Sequence, residues 1–335
     1  MGSLEVPCID LSENDTSIVV KELLDACKNW GFVSLKNHGI PLDEIDRTFK
    51  LADKFFDIPV EEKQKYLFKG GRLHSGYTGH FGEKLDMEHQ SRGDLKESYD
   101  LAGFPDPKLE NLCPFIAEHM DEFLQFQRHC YKLTLRLLDF FAIGFGIPPD
   151  FFSKSHSSEE DVLRLLKYSI PEGVERREDD EDAGAHSDYG SITLLFQRDA
   201  AGLEIRPPNF VKDMDWIKVN VQPDVVLVSL FLTPYSNHLH RVNIADMLQF
   251  WTSGKLRSTV HRVRIDPGVK TRQTIAYFVT PDPETPLSPL FEEKTGKDIE
   301  TVTAGEWIDG RINFTYGYSA PPKGYLGSQN DGIVA

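Results

Sequence analysis

Apolar and polar positions divide this chain into a first half of helices with a few strands and a second half of short strands. Val6 to Leu11 is an apolar run with a polar stop and reads as a strand. Ile18 to Trp30 has helical spacing at Val19, Leu23 and Cys27, and Gly31 can close that helix in a left-handed cap. Phe32 to Lys36 alternates as a second strand. Pro41 opens a helix with a stripe at Ile45, Phe49, Ala52 and Phe56, and Pro59 stops it. Residues 69–82, rich in glycine and aromatics, read as a loop. Pro114 opens the longest helix, with Ile116, Met120, Phe123, Cys130, Leu133 and Leu137 on one face, ended by Gly144, Gly146 and Pro148.

After about residue 160 the period changes. Val162–Ile170, Ser191–Gln197, Leu203–Arg206, Trp216–Val219, Val225–Leu232, Thr259–Ile265 and Thr274–Thr280 are β-type runs separated by turn residues. Many short strands at modest spacing predict a sandwich or jelly roll, with the helices packed around it. Glu178 to Asp182, five consecutive acids, reads as a solvated loop.

Hydrophobic residues make up 40% of the 335, ample for a large core, and the net charge is −16. That balance argues against nucleic acid as a partner, since phosphate binding needs clustered Lys and Arg. No apolar run is long enough to span a membrane and no secretory leader is evident, so the expectation is a cytoplasmic protein, with the nucleus also open, and a monomer. Cys8, Cys27, Cys113 and Cys130 are scattered without a C-x-x-C pair and read as reduced, mostly buried thiols.

His186 and Asp188 stand two positions apart, a spacing that points both side chains to one face if the segment is an extended strand. Alone, H-x-D is common by chance. A third donor must come from elsewhere; His261 lies on a predicted strand, while His156, His238 and His240 compete. Two imidazoles and one carboxylate hold Fe(II) on one side and leave the other open, as in non-haem oxygenases. Asp266-Pro267-Gly268 then signals a turn, and Arg272, Thr274, Ala276 and Phe278 share a face of the returning strand. On that reading Arg272 and Thr274 neighbour the His261 strand and offer a carboxylate a planar fork and a hydroxyl.

These residues carry a family resemblance over nearly the whole chain. Val6-Pro7-Cys8-Ile9-Asp10-Leu11 resembles an I-P-x-I-D-L opening, and Gly31 to Ile40 resembles G-F-x-x-x-x-N-H-G-I. Lys96-Glu97-Ser98-Tyr99 resembles K-E-S/x-F/Y, and Gly184 to Leu195 resembles G-A-H-x-D-x-G-x-x-T-L-L. Together they are similar to the isopenicillin N synthase-like branch of the 2-oxoglutarate and Fe(II)-dependent dioxygenases. The resemblance implies a mostly β core of the α+β class, a double-stranded β-helix (jelly roll) at 161–284. An N-terminal mixed α/β region at 1–112, a long supporting helix with connector at 113–160 and a C-terminal extension at 285–335 surround it. It implies His186, Asp188 and His261 as ligands of Fe(2+), and no catalytic side chain beyond the metal centre. Arg272 and Thr274 match the R-x-S/T that holds 2-oxoglutarate, and Tyr168 matches a Tyr facing the co-substrate or substrate. O2 is the oxidant, ascorbate a reductant, and a small organic molecule is hydroxylated with release of succinate and CO2. Two alternatives share the fold: an oxidase that does not use 2-oxoglutarate, and a non-catalytic sensor or binding module. His38 belongs to a family signature and reads as structural.

One stretch departs from the pattern. Between His186 and His261 the chain is longer than in relatives, and a continuous strand would run from Val228 directly into Asn243. The intervening 229–242, which contain Pro234, are either a genuine loop insertion or the product of a retained intron.

Overall fold

A computed structural model describes residues 6–70, 75–107, 112–198, 200–207, 216–219, 239–291 and 301–315. The first half runs β1 (Cys8–Asp10), α1 (Thr16–Asn29), β2 (Phe32–Lys36), α2 (Leu42–Phe56), α3 (Val60–Lys63), β3 (Gly76–Thr78), β4 (Lys96–Ala102), α4 (Pro114–Glu118) and α5 (Met120–Gly144). The second begins with β5 (Val162–Ser169), β6 (Ala183–His186), β7 (Ile192–Arg198), β8 (Leu203–Ile205), β9 (Ile217–Lys218) and β10 (Leu239–Ile244). It continues with α6 (Asp246–Trp251), β11 (His261–Val263), β12 (Thr271–Val279), β13 (Pro286–Leu287), β14 (Val302–Thr303) and α7 (Ala304–Thr315).

Eight strands form one sheet in the order β1-β2-β10-β7-β12-β5-β4-β3, and four form a second, β6-β11-β8-β9. These are the two sheets of a jelly roll, with strands of the N-terminal region extending both ends of the larger one.

The register sorts side chains into two faces, because neighbours along a strand point to opposite sides. Leu101, Leu163, Tyr277, Leu194, Val242 and Val33 lie in one cross-strand row. Tyr99, Leu165, Ile275, Phe196 and Leu35 form the next row on that side. All are buried in one apolar cluster with Val19 and Leu23 of α1, Phe49 and Phe55 of α2, and Phe123 and Phe126 of α5. Phe126 and Phe196 rings stand 5.0 Å apart, joining helix to sheet. The opposite face carries Asp100, Arg164, Tyr168, Arg272, Thr274, Gln197, Thr193 and Asn243, and the smaller sheet covers it.

Local expectations mostly hold. α1 begins under an Asp15 cap and ends before Gly31, whose φ is +64°. A Cβ there would lie 2.2 Å from the Arg257 carbonyl oxygen, so only glycine fits. The long helix is interrupted at His119, between α4 and α5.

Four readings need correction. Residues 69–82 contain a strand, β3, because Tyr77 packs against the outer helices while pairing with Tyr99. The acidic run is solvated only at Glu178 and Asp179; the rest of it turns inward. Arg92 pairs with Asp180 at 2.5 Å and Arg176 with Asp182 at 2.9 Å, and both carboxylates are buried. Arg264 also reaches Glu181, so two cations distant in sequence, Arg92 and Arg264, join the nearby Arg176 in drawing these acids inward. β12 does not pair with the His261 strand; β11 belongs to the smaller sheet, so the turn at Asp266–Gly268 crosses between sheets. Finally, Leu239–Val242 are the first part of β10, between β2 and β7. Residues 229–238 of the departing stretch, with His238 and Pro234, lie outside the described residues, as does the Val225–Leu232 run.

Candidate metal centre

β6 and β11 pair so that His186 and His261 are direct cross-strand partners, with ring centroids 4.3 Å apart. Asp188 is not on the strand: β6 ends at His186, and the carboxylate sits in the turn that follows. Backbone bonds from Asp246 N to the Asp188 carbonyl (2.9 Å) and from Met247 N to that of Gly190 (2.9 Å) hold the turn. The motif glycines are explained by close approach. A Cβ on Gly190 would lie 2.2 Å from the Val279 carbonyl oxygen, and one on Gly184 2.3 Å from Gln90 Oε1.

Asp188 Oδ1 lies 3.8 Å from Nε2 of both histidines, and the three donor atoms fall within 4.8 Å of one another. His186 Nδ1 faces the Gly184 carbonyl at 2.7 Å and His261 Nδ1 that of Thr259 at 3.1 Å. A carbonyl only accepts, so each Nδ1 carries the proton and each Nε2 turns a lone pair towards Asp188. The other carboxylate oxygen, Oδ2, accepts from Thr193 Oγ1 and Asn243 Nδ2, both at 2.7 Å. Thr193 and Asn243 are cross-strand partners on β7 and β10, so the larger sheet aims the carboxylate at the smaller one.

Burial, reinforced by His261, pushes His186 down to about 3. Burial alone would raise Asp188, but His261 and His186, with the bonds from Asn243 and Thr193, bring it below the usual carboxylate range. Neutral imidazole beside ionised carboxylate is the state that binds a cation. Three N and O donors on one side, with open space opposite, suit Fe(II).

His186, Asp188 and His261 line one cavity with Tyr168 and Arg272. Arg272 is 2% exposed and its guanidinium carbon lies 4.9 Å from the Tyr168 ring centroid. Its Nη2 donates to Gln197 Oε1 at 2.6 Å and its Nε to the Ala200 carbonyl at 3.3 Å, while buried Nη1 has no hydrogen-bond partner. Thr274, one step along the same face, is 1% exposed and its Oγ1 also lacks a partner. No carboxylate among the described residues pairs with Arg272. A buried guanidinium with an unfilled donor beside an unfilled hydroxyl fits an anionic ligand.

Of the competing histidines, His156 falls elsewhere. His156 is buried, with Nδ1 at 2.8 Å from the Phe152 carbonyl and Nε2 at 2.9 Å from Ser191 Oγ, and burial pushes it down to about 4. It is a core residue. His38 Nδ1 accepts from Ile40 N at 3.1 Å, away from the cavity.

Sequence reasoning missed Thr193 and Asn243, and also a charged wall. Lys96 Nζ meets Glu83 Oε2 at 2.8 Å, Arg164 Nη1 meets Glu83 Oε1 at 3.3 Å, and Arg164 bonds Asp100 in a fork at 2.5 and 2.7 Å. All four residues line the cavity with Leu85, Phe278 and Ile308. Inward parity along β4 and β5 is the signal that would have found Lys96, Asp100 and Arg164.

A jelly roll with two histidines and a carboxylate opening into its cavity defines the architecture of a non-haem iron oxygenase. Comparisons with known proteins agree. Residues 160–281 match the profile of the 2OG-Fe(II) oxygenase superfamily, and residues 6–115 match that of the non-haem dioxygenase in morphine synthesis N-terminal region. The chain is 96% identical over 335 residues, the whole of both proteins, to the UPF0676 protein C1494.01 of Schizosaccharomyces pombe. It is 29% identical to the 2-oxoglutarate-Fe(II) type oxidoreductase ppzD of Metarhizium rileyi, over 89% of this chain and 86% of that one. The crystal structure of a full-length Neurospora crassa protein in complex with alpha-KG and thymine superposes with a TM-score of 0.75 at 27% identity, covering 93% of this chain and 97% of that one. The chain belongs to the 2-oxoglutarate- and Fe(II)-dependent oxygenase superfamily. It is an oxidoreductase whose cofactor is Fe(II) and whose co-substrates are 2-oxoglutarate and O2.

Proposed function

We propose that the enzyme hydroxylates a small organic molecule, turning substrate, 2-oxoglutarate and O2 into hydroxylated product, succinate and CO2. In this reading His186, Asp188 and His261 hold the iron, Arg272 and Thr274 hold the far carboxylate of 2-oxoglutarate, and Tyr168 packs beside the guanidinium. The observation that carries it is the unfilled Nη1 of Arg272, a residue that lines the cavity with the triad, two positions from the unfilled Thr274 hydroxyl on the same strand face. Iron with bound 2-oxoglutarate would supply the oxidising power. The chain's own part is to fix the donors, orient the co-substrate by two contacts, and exclude water with apolar walls. A largely apolar pocket with a few convergent polar groups is the usual form of a small-molecule site. The division into an N-terminal region (1–112), a helix and connector (113–160), a catalytic jelly roll (161–284) and a C-terminal extension (285–335) accompanies this reading.

The test is spectroscopic, then chemical. Fe(II) and 2-oxoglutarate added without oxygen should give a weak visible charge-transfer band, and admitting O2 should release succinate. Iron uptake without band or succinate would leave the oxidase alternative in its place. Screening metabolite extracts for enzyme-dependent gain of one oxygen atom then identifies the substrate.

A further inference from the structure

Helix α7 carries two stripes. Ala304, Trp307 and Arg311 are buried on one side, and Trp307 packs on Phe250 of α6 with ring centroids 5.5 Å apart. Ile308, Ile312 and Thr315 form the adjoining stripe and line the cavity with Tyr189. The helix is therefore one wall of the space above the His–Asp–His cluster. What docks it there is a charge, not only apolar contact.

Arg311 Nη2 lies 2.8 Å from Asp246 Oδ2 and 3.5 Å from Ser187 Oγ. Its guanidinium carbon lies 4.4 Å from the Tyr189 ring centroid, and the Tyr189 hydroxyl is hydrogen-bonded to Thr315. Ser187 and Tyr189 are the residues on either side of Asp188. Asp246 joins the parts: its Oδ2 accepts from Ser187 Oγ at 3.0 Å and its Oδ1 from Ser258 Oγ at 2.6 Å. Its backbone N–H donates to the Asp188 carbonyl at 2.9 Å. Ser258 in turn begins the segment that leads into His261. One buried ion pair thus ties α7 to the turn bearing Asp188 and to the approach to His261.

We propose that Arg311 is a positioning residue that couples docking of α7 to the geometry of the metal-binding turn. Filling the site with a divalent cation and 2-oxoglutarate and closing α7 over the cavity then strengthen each other. The inference rests on the metal reading above. Its physical basis is reciprocity: if a docked helix raises affinity at the turn, a filled turn must favour the docked helix by the same factor. Removing one partner of a buried pair leaves the other charge without compensation, so the linkage depends on Arg311 and Asp246 together. The Ile308 and Ile312 wall exists only when α7 is docked, so a substrate would meet its complete pocket after metal and co-substrate are in place.

Mn(II) with 2-oxoglutarate serves as a redox-quiet probe. Affinity is read from the resonance of free Mn(II), and docking from amide exchange of residues 304–315. In the wild type, adding both ligands should slow exchange across α7. Arg311→Ala should weaken Mn(II) binding about tenfold, within the usual range of coupling between sites, and abolish the ligand-induced protection. Arg311→Lys, which keeps the charge facing Asp246, should recover most of the affinity. Unchanged Mn(II) affinity in folded Arg311→Ala, with only a lower Tm, would reduce Arg311 to a stabilising contact and overturn the coupling. Should that variant not fold, the wild type decides alone: Mn(II) uptake with unaltered α7 exchange also overturns it. A wild type that takes up no Mn(II) at all defeats both this coupling and the oxygenase reading.

Discussion

The two faces of the eight-stranded sheet share every strand and almost nothing else. Towards the helices, β5 presents Leu163 and Leu165, β7 Leu194 and Phe196, and β12 Ile275 and Tyr277, all buried in the main apolar cluster. Towards the smaller sheet the same strands present Arg164 and Tyr168, Thr193 and Gln197, Arg272 and Thr274. Burial of apolar area stabilises the fold by about 25 cal/mol per Å², whereas burying ions costs desolvation that pairing offsets only in part. Stability therefore resides mainly on the outer side, and the inner side uses it to hold polar groups in fixed positions. The teaching is that fold and chemistry can be damaged separately although alternate residues of one strand carry them.

The sharpest way to break this contrast is a pair of substitutions. His261→Ala removes a proposed metal donor and should lower metal affinity by more than about 100-fold, since even partners behind the ligands are worth 10- to 100-fold. Its Tm without metal should shift by only a few degrees. Phe196→Ala, on the opposite side, should cost about 3–5 kcal/mol of stability through the cavity left against Phe126. The molecules that remain folded should bind metal as the wild type does. Denaturant titration with Mn(II) binding on both variants checks this. An unfolded His261→Ala, or a folded Phe196→Ala with lost affinity, would mean the faces are not separable.

Arg272→Lys probes the inner face alone. Lysine keeps the charge but loses the planar fork that reaches Gln197 and the Ala200 carbonyl and leaves Nη1 unfilled. Affinity for 2-oxoglutarate should fall about 10- to 100-fold, the worth of one or two charge-assisted hydrogen bonds. Metal binding without 2-oxoglutarate should not change. Titration of the visible band measures the first, and Mn(II) resonance the second. Equal losses in both would place Arg272 in the framework of the site and not in co-substrate binding.

Much of the outer face was legible in the sequence, because it is written in local periodicity. The stripe at Ile45, Phe49, Ala52 and Phe56 marks a helix before any partner is known, and all four are buried. The candidate ligands were legible as motif, but their geometry was not. That His186 and His261 pair directly, and that Asp188 sits past the end of β6, depend on a register no local pattern encodes. β10 was hidden for a related reason. Its inward Arg241 and Asn243 break the apolar run that marks a central strand, and only its pairing with β2 and β7 explains them. The buried end of the acidic run was misread because Arg92 and Arg264, two of its three partners, come from separate segments. A charge is solvated or paired according to what the fold brings beside it.

That dependence also gives the faintest and most specific contrast between the faces. On the inner side Glu83 is buried, but Lys96 and Arg164 hold its carboxyl below the usual range. On the outer side Asp161 is fully buried near α5 with Tyr277 Oη donating at 2.6 Å and Thr280 N–H at 3.0 Å, and burial pushes it up to about 7 from an ordinary 3.8. Their effects on stability have opposite sign. Glu83 stabilises the fold above its unfolded pKa and loses that contribution as pH falls. Asp161 keeps its proton in the folded state where the unfolded chain has released it, so its contribution declines as pH rises from about 4 to about 7 and then levels. Asp161→Asn has no proton to lose. Its Tm should therefore fall less than that of the wild type between pH 5 and pH 8, by a few degrees, read by scanning calorimetry at both values. Parallel curves for the two proteins would mean that water or relaxation already solvates Asp161, and that the outer face is less apolar beside Tyr277 than its packing implies.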